Sequence, residues 1–319
     1  MEQKKPLVTH MFTADPSAHV FEGKLYVYPS HDSDADYVSA DDGSQYMMED
    51  YHVLRMDDVT APCVDCGEVL HLRDIPWVKQ QLWAPDAAFV DDKYFLVFPA
   101  KDEEEVFRIG VAEGPSPEGP FVAHDSYIPG TFSVDPAVYV EADKVYLLIG
   151  GLWGGQLEQW QTGERVPAAV GPTGREAALG PRIAELSHDF RAMQEVPKEI
   201  QILDKDGQII PAGDEEKRFF EGGWIHKYNG KYYLSYSTGS THLLVYATSD
   251  NIYGPYVFGG TILTPVLGWT THHSIVEFKG KWYLFYHDAS LSGADSKRCV
   301  LYREIFYDED GSIVTMDPY

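Results

Sequence analysis

The stretch FTADPSAHVFEGKLYVYPSHD, Phe12 to Asp32, decides how the chain is read. Its second half is apolar and aromatic at Val20, Phe21, Leu25, Tyr26, Val27 and Tyr28. It is broken once, by Glu22-Gly23-Lys24, which is the pattern of two strands joined by a tight turn. Its first half carries one acid, Asp15, beside Pro16. The hairpin then recurs: AFVDDKYFLVFPAKD from Ala88, VYVEADKVYLLIGG from Val138, IHKYNGKYYLSYST from Ile225 and IVEFKGKWYLFYHD from Ile275. Each copy is a short apolar strand, a turn with Gly or Asp followed by Lys, and an aromatic-rich strand of period two.

Two copies share a continuation. Ile109–Val122 (IGVAEGPSPEGPFV) and Val245–Phe258 (VYATSDNIYGPYVF) both read as a third strand, a Gly-Pro turn and a short fourth strand. A unit of about four antiparallel strands is one propeller blade. Five units predict an all-β chain folded as a five-bladed β-propeller, with residues 1–319 as a single domain. The turn residues Gly23, Asp92, Asp143, Gly230 and Gly280 are separated by 69, 51, 87 and 50 positions. The long gaps locate insertions at Asp34–Tyr51 and Leu152–Asp214, and insertions in repeat folds often gather on the binding face. The C-terminal VLYREIFYDEDGSIVTMDPY is expected to complete or close a terminal blade.

Composition narrows the function. Asp and Glu number 50 against 25 Lys and Arg, a formal charge of −25. A phosphate backbone or an anionic membrane is repelled by that field, so neither nucleic acid nor membrane is expected as a partner. A neutral sugar is indifferent to it. Cys63, Cys66 and Cys299 are too few for a disulfide framework, and Cys63-Val64-Asp65-Cys66 lacks the second pair that a zinc site needs. The opening MEQKKPLVTH has no apolar leader core, so the expectation is a cytoplasmic protein, or a secreted or periplasmic one if a leader has been removed.

The residues ahead of each turn carry the chemistry. Asp15 lies 8 positions before Gly23, Asp86 6 before Asp92, Asp135 8 before Asp143, Glu221 9 before Gly230 and His272 8 before Gly280. Inner strands of a propeller start at one end of the central channel, so these groups are expected to converge on one mouth. An Asp-Pro pair alone is an ordinary turn. Here, however, the turns keep their chemistry across the repeats while the mouth position changes from Asp to Glu to His. Carboxylates crowded together push their pKa values apart, as acid/base catalysis needs. Trp83 and Trp224 stand three positions from Asp86 and Glu221 and are candidates to stack on sugar rings, although core packing is the ordinary fate of a lone Trp.

With ADPSAHVFEGKLYVYPSHD, LWAPDAAF, FSVDPAVYV, FFEGGWIHKYNGKYYLSYS and THHSIVEFKGKWYLFYHD in order and at blade spacing, the chain resembles glycoside hydrolase family 43 over essentially its whole length. The resemblance implies a five-bladed propeller and an inverting mechanism. It implies Asp15 as general base, Glu221 as general acid, and Asp135 as the group that orients Glu221 and raises its pKa. It places Arg298 near the substrate, and a calcium or sodium ion in the channel with His272, rather than His273, as its protein or water-mediated neighbour. No organic cofactor is expected. One departure is Glu221-Gly222-Gly223, where the family has Glu-Gly-Pro. The expected substrates are oligo- or polysaccharides of the hemicelluloses, from which terminal α-L-arabinofuranosyl or β-D-xylosyl units are removed. Arabinose is placed slightly ahead because no C-terminal sandwich follows the propeller. The alternatives are an endo-arabinanase of the same family and a non-catalytic carbohydrate-binding propeller. An invertase-like fructan hydrolase is discounted, because Val134-Asp135-Pro136 and Phe220-Glu221-Gly222 replace its Arg-Asp-Pro and Glu-Cys. Oligomeric state is not legible.

Overall fold

The computed structural model describes residues 5–318 apart from 39, 41 and 270. The repeated hairpin sets the architecture. In all five copies the residue before a two-residue turn pairs with the Lys that follows it: Phe21 with Lys24, Val90 with Lys93, Glu141 with Lys144, Tyr228 with Lys231 and Phe278 with Lys281. At Glu22-Gly23, Asp91-Asp92, Asn229-Gly230 and Lys279-Gly280 both turn residues have positive φ, the form whose twist matches the flanking strands.

Each hairpin begins a blade. Blade 1 is β1 (Phe12–Phe21), β2 (Lys24–Asp32), β3 (Asp50–Met56) and β4 (Val64–His71). Blade 2 is β5 (Asp86–Val90), β6 (Lys93–Lys101), β7 (Phe107–Gly114) and β8 (Val122–Ala123). Blade 3 is β9 (Ala137–Glu141), β10 (Lys144–Ile149), β11 (Arg182–Leu186) and β12 (Lys198–Glu199). The short β13 (Ile202–Leu203) then pairs in parallel with the outer edge of blade 4, which is β14 (Glu221–Tyr228), β15 (Lys231–Ser237), β16 (Leu244–Ser249) and β17 (Tyr256–Leu263). Blade 5 has three strands, β18 (His273–Phe278), β19 (Lys281–Asp288) and β20 (Cys299–Ile305). The first strand of each hairpin is innermost. Successive inner strands lie side by side from β1 through β5, β9, β14 and β18 back to β1, which closes the ring.

Both chain ends serve the closure. The Leu7 amide donates to Val300 O and the Thr13 amide to Arg298 O, which ties the N-terminal segment to β20. The segment after β20 runs back to blade 4, where the Met316 amide donates to Ile262 O and the Thr264 amide to Met316 O. The predicted closing strands therefore split their work between two blades.

Period-two packing explains the core. On β2, Tyr26 and Tyr28 pack toward blade 2 against Leu96 and Phe98, while Leu25 and Val27 pack toward blade 5 against Phe285 and Val300. A blade strand is thus apolar on both faces, and each such Leu or Val contributes roughly 1.5–3 kcal/mol by its burial. Cys63 and Cys66 are free thiols at the start of β4, and burial pushes the Cys63 thiol up to about 12, so it is a poor nucleophile. No helix of the described residues is long and apolar enough to cross a membrane.

Candidate active site

The inner strands deliver their leading residues to one cavity of about 240 Å³. Asp15, Asp135, Glu221 and His272 all line it, from blades 1, 3, 4 and 5. Backbone irregularities aim the acids. Asp15 sits where the β1–β2 register shifts between Ala14 and Ser17, and Glu221 where the β14–β15 register shifts before Trp224. Such bulges re-aim a side chain out of the ladder. Asp15 and Asp135 are both left-handed, with φ of 46° and 55°, a conformation that Asp tolerates better than most residues. The two Asp-Pro corners are therefore the same device used twice.

Asp15 is an anchored carboxylate. Arg298 Nη1 donates to its Oδ1 at 3.0 Å and Nη2 to its Oδ2 at 3.3 Å, and Ser30 Oγ donates to Oδ2 at 2.7 Å. The Asp15 amide donates to His287 Nδ1 at 3.0 Å. Burial by itself would push this carboxyl up. The Arg298 guanidinium, with His287, His272 and Ser30, outweighs burial and holds it at about 2. Arg298 also grips Asp32 through Nε at 2.9 Å and Nη2 at 2.7 Å, and it lies under the Tyr46 ring with Cζ 4.8 Å from the centroid. It is a buried clamp inside the cavity rather than a surface charge.

Asp135 has the opposite setting. Its Oδ2 accepts the Gly222 amide at 2.9 Å. Burial, then the neighbouring Glu221 and Asp15 carboxylates, push it well above the usual carboxylate range. Two such acids side by side cannot both stay ionised, so the Asp135–Glu221 pair retains a proton that a lone carboxylate would lose. Gly222 fits this corner because its φ is +65° and a Cβ would stand 3.3 Å from the His272 ring. This Gly222 contact, and not a proline after it, fixes the Glu221 turn.

His272 Nδ1 stands 3.8 Å from Asp15 Oδ1 and 3.9 Å from Asp135 Oδ1, and burial lowers its pKa. A neutral imidazole beside two carboxylate oxygens is a donor set that a hard cation with a water-rich shell can use. His273 does not share this position: it is buried, with Nε2 2.6 Å from Ser235 Oγ.

Two expected substrate contacts are corrected. Asp86 does not line the cavity. Its side chain is fully buried, accepting the Val138 amide at 2.5 Å and the Ala87 amide at 2.7 Å, with Ser17 Oγ and His19 Nε2 on Oδ1. It lies two positions nearer its turn than Asp15 and Asp135 do, which sinks it about 7 Å down the channel at ~3.3 Å per residue. The blade 2 residue at the true mouth offset is Ala84, which does line the cavity. Trp224 is likewise buried; its indole donates to Ile275 O at 3.0 Å, and the bulge after Glu221 turns it toward blade 5.

Trp83 does reach the cavity. It is held by its indole donating to Tyr46 O at 2.9 Å and by packing on Phe107. Gly43 is needed opposite, since a Cβ there would collide with the Trp83 ring. Both insertions supply walls: Tyr46 and Gln45 come from the first, and Leu152–Gly155 from the second. Trp153, 43% exposed, stacks on Trp269 with centroids 6.0 Å apart, and both line the cavity. Trp153, Trp269 and Tyr46 were not among the expected contacts, nor were Asp32 and His287. The only sequence signal for the last two is the His-Asp ending the second strand of the first and fifth hairpins.

The family described as Glycosyl hydrolases family 43 matches residues 3–313. A protein of Humicola insolens named xylosidase/arabinosidase 43A is 55% identical over 98% of this chain and 99% of its own length. A beta-xylosidase of Xylanibacter ruminicola is 48% identical over 96% of this chain and 97% of its own. CoXyl43, a beta-xylosidase/alpha-arabinofuranosidase from a compost microbial metagenome, has been solved with xylotriose in a calcium-free form. It superposes with a TM-score of 0.96 at 54% identity, covering 99% of this chain and 98% of that one.

Proposed function

The chain belongs to glycosyl hydrolase family 43, and from that premise we propose that this glycosidase removes terminal pentose units from hemicellulose-derived oligosaccharides with inversion. β-D-Xylosyl units rank ahead of α-L-arabinofuranosyl units. The order reverses the sequence-based expectation. That expectation leaned on the lack of a trailing sandwich, yet a relative named beta-xylosidase is matched over 97% of its length by this chain. The observation that carries the reading is the convergence of Asp15, Asp135 and Glu221 on one cavity of about 240 Å³. That is small beside the ~300–1,000 Å³ of larger ligand pockets and suits one terminal sugar with its neighbour.

The chain's own groups divide the work. Asp15 is ionised throughout the physiological range and positions a water against the anomeric carbon. As the water oxygen bonds to that carbon, its proton becomes strongly acidic and passes to an Asp15 oxygen. Glu221, holding the proton of the Asp135–Glu221 pair, gives it to the departing glycosidic oxygen on the opposite face. An inverting pair needs its carboxyls roughly 6.5–9.5 Å apart to admit the water. Asp135 keeps the Glu221 turn in place through the Gly222 amide, and as the close second carboxyl of the pair it keeps one proton between the two. Tyr46 and Trp83 offer apolar ring surface to the sugar. A calcium or sodium ion in the channel would be held at His272, directly or through water, and would supply positive charge beside Asp15.

The test is hydrolysis of para-nitrophenyl β-D-xyloside and para-nitrophenyl α-L-arabinofuranoside side by side, with the first sugar released from xylobiose followed by NMR. Faster cleavage of the xyloside and release of the α-anomer are expected. Inactivity on both glycosides with cleavage of linear arabinan would replace this reading by an endo-arabinanase. Binding without any cleavage would replace it by a carbohydrate-binding propeller.

A further inference from the structure

Blade 1 carries a second cluster of ligand-type side chains. His31 is the next-to-last residue of β2, Asp50 opens β3, and His52 lies two residues along β3. Each offers one donor atom, and the three donors lie within 4.8 Å of one another on half-buried side chains. His31 Nδ1 is 2.5 Å from Asp50 Oδ1, and the His31 and His52 rings meet edge to face with centroids 5.2 Å apart. His31 and Asp50 line a cavity of about 520 Å³, larger than the catalytic one and separate from it.

A simple His–Asp ion pair would account for His31 and Asp50. It would not account for a second imidazole, His52, placed with a donor within 4.8 Å of both. That ring is anchored from behind, its Nδ1 2.9 Å from Asp65 Oδ1, which leaves Nε2 as the nitrogen it can offer. Asp65 is itself fixed by the Gly67 amide at 2.9 Å and by His10 Nε2 at 2.8 Å. A carboxylate behind a histidine sets its tautomer and ring orientation, as it does around bound metals. Two imidazoles and a carboxylate, with a water as fourth ligand, suit a tetrahedral borderline-soft ion rather than calcium.

We propose that blade 1 binds a divalent transition metal of the zinc class through His31, Asp50 and His52, with Asp65 as the positioning residue for His52. The ion takes the place of the proton between His31 and Asp50. Tetrahedral donors with bonds of about 2.0–2.2 Å stand roughly 3.3 Å apart, so that pair opens slightly on binding. The position gives the ion a task. His31 and Asp50 bracket the segment that brings Gln45 and Tyr46 to the catalytic cavity. A metal joining them staples both ends of one active-site wall.

The test uses the full chain, stripped with a chelator and dialysed against micromolar zinc. Bound zinc per chain, thermal midpoint, and hydrogen exchange of peptides covering residues 42–48 are measured. Wild type is expected to hold one zinc at this site, to melt higher with it, and to exchange more slowly over 42–48. His52→Ala is expected to lose zinc affinity by at least about 100-fold, and Asp65→Asn by about 10–100-fold. His272→Ala, which alters the channel, is expected to bind zinc like wild type. Absence of zinc from wild type, or equal affinity in wild type, His52→Ala and Asp65→Asn, overturns the proposal. Zinc lost in His272→Ala but kept in His52→Ala moves the ion to the channel and overturns it as well. Should His52→Ala fail to fold, Asp65→Asn at wild-type affinity contradicts the site on its own.

Discussion

The mouth of the channel and the layer beneath it are built from the same repeat and the same residue types, yet they do different things. At the mouth, Asp15, Asp135 and Glu221 face a cavity. One layer down, Asp86 does not line that cavity and spends its oxygens on the Val138 and Ala87 amides and on Ser17 and His19. Asp86 thereby ties the inner strands of blades 1, 2 and 3 together. The difference is depth along a strand. A carboxylate eight or nine positions before its turn reaches the cavity, and one six positions before it becomes part of the frame.

Substitutions at the two levels should separate rate from stability. Glu221→Gln is expected to lower kcat on xylobiose about 10²–10⁴-fold, the usual worth of a general acid, while changing unfolding free energy by no more than ~0.5 kcal/mol. Urea unfolding beside steady-state kinetics checks both halves. Asp86→Ala should do the reverse. It strands two buried amides and two side chains, so a loss of about 3–5 kcal/mol is expected, with kcat/KM of the surviving folded enzyme within about 10-fold of wild type. A stable Asp86→Ala variant with abolished kcat would place Asp86 in the chemistry and break the contrast.

Protons sharpen the contrast within the mouth. Asp15 is held at about 2 against an ordinary 3.8. A lowered pKa stabilises the fold fully above the unfolded value and loses that stabilisation as pH falls through the folded one. Roughly 2 kcal/mol should therefore disappear between about pH 4 and pH 2. In Asp15→Asn this part of the acid limb of stability should flatten, as read by thermal melts across that window. Asp135 is shifted upward, so its sign is opposite: ionising it costs stability as pH rises through its raised value. Asp135→Asn removes the second carboxyl with which Glu221 shares a proton, so the proton is held less firmly. The alkaline limb of kcat/KM should move toward lower pH by about one unit, worth ~1.4 kcal/mol, and an unmoved limb would deny Asp135 its electrostatic part.

The five hairpins were legible because one short turn, followed by Lys and an aromatic strand, is a local signal repeated without change of register. Asp15, Asp135, Glu221 and His272 were legible because their offset from that turn is also local. Asp86 misled because an acid was accepted at the wrong offset, where Ala84 held the true position. Trp224 misled because a bulge after Glu221 breaks the period by which side-chain direction is counted. Asp32 and His287 were not legible as site groups. Asp32 joins the site through Arg298, 266 residues away, and His287 through Asp15, 272 residues away. Trp153, from the second insertion, and Trp269, from the segment before β18, stack only once the ring closes, so neither segment shows the pairing by itself.

The central claim is that Glu221 delivers the proton and Asp15 activates the water. The most direct measurement is the rate of Glu221→Ala and of Asp15→Ala on two substrates, xylobiose and para-nitrophenyl β-D-xyloside. Para-nitrophenolate leaves without protonation, whereas a sugar alkoxide does not. Glu221→Ala should therefore lose far more on xylobiose than on the aryl glycoside, and Asp15→Ala should lose comparably on both. Equal losses of Glu221→Ala on the two substrates, or xylobiose cleavage that survives its removal, would contradict the account.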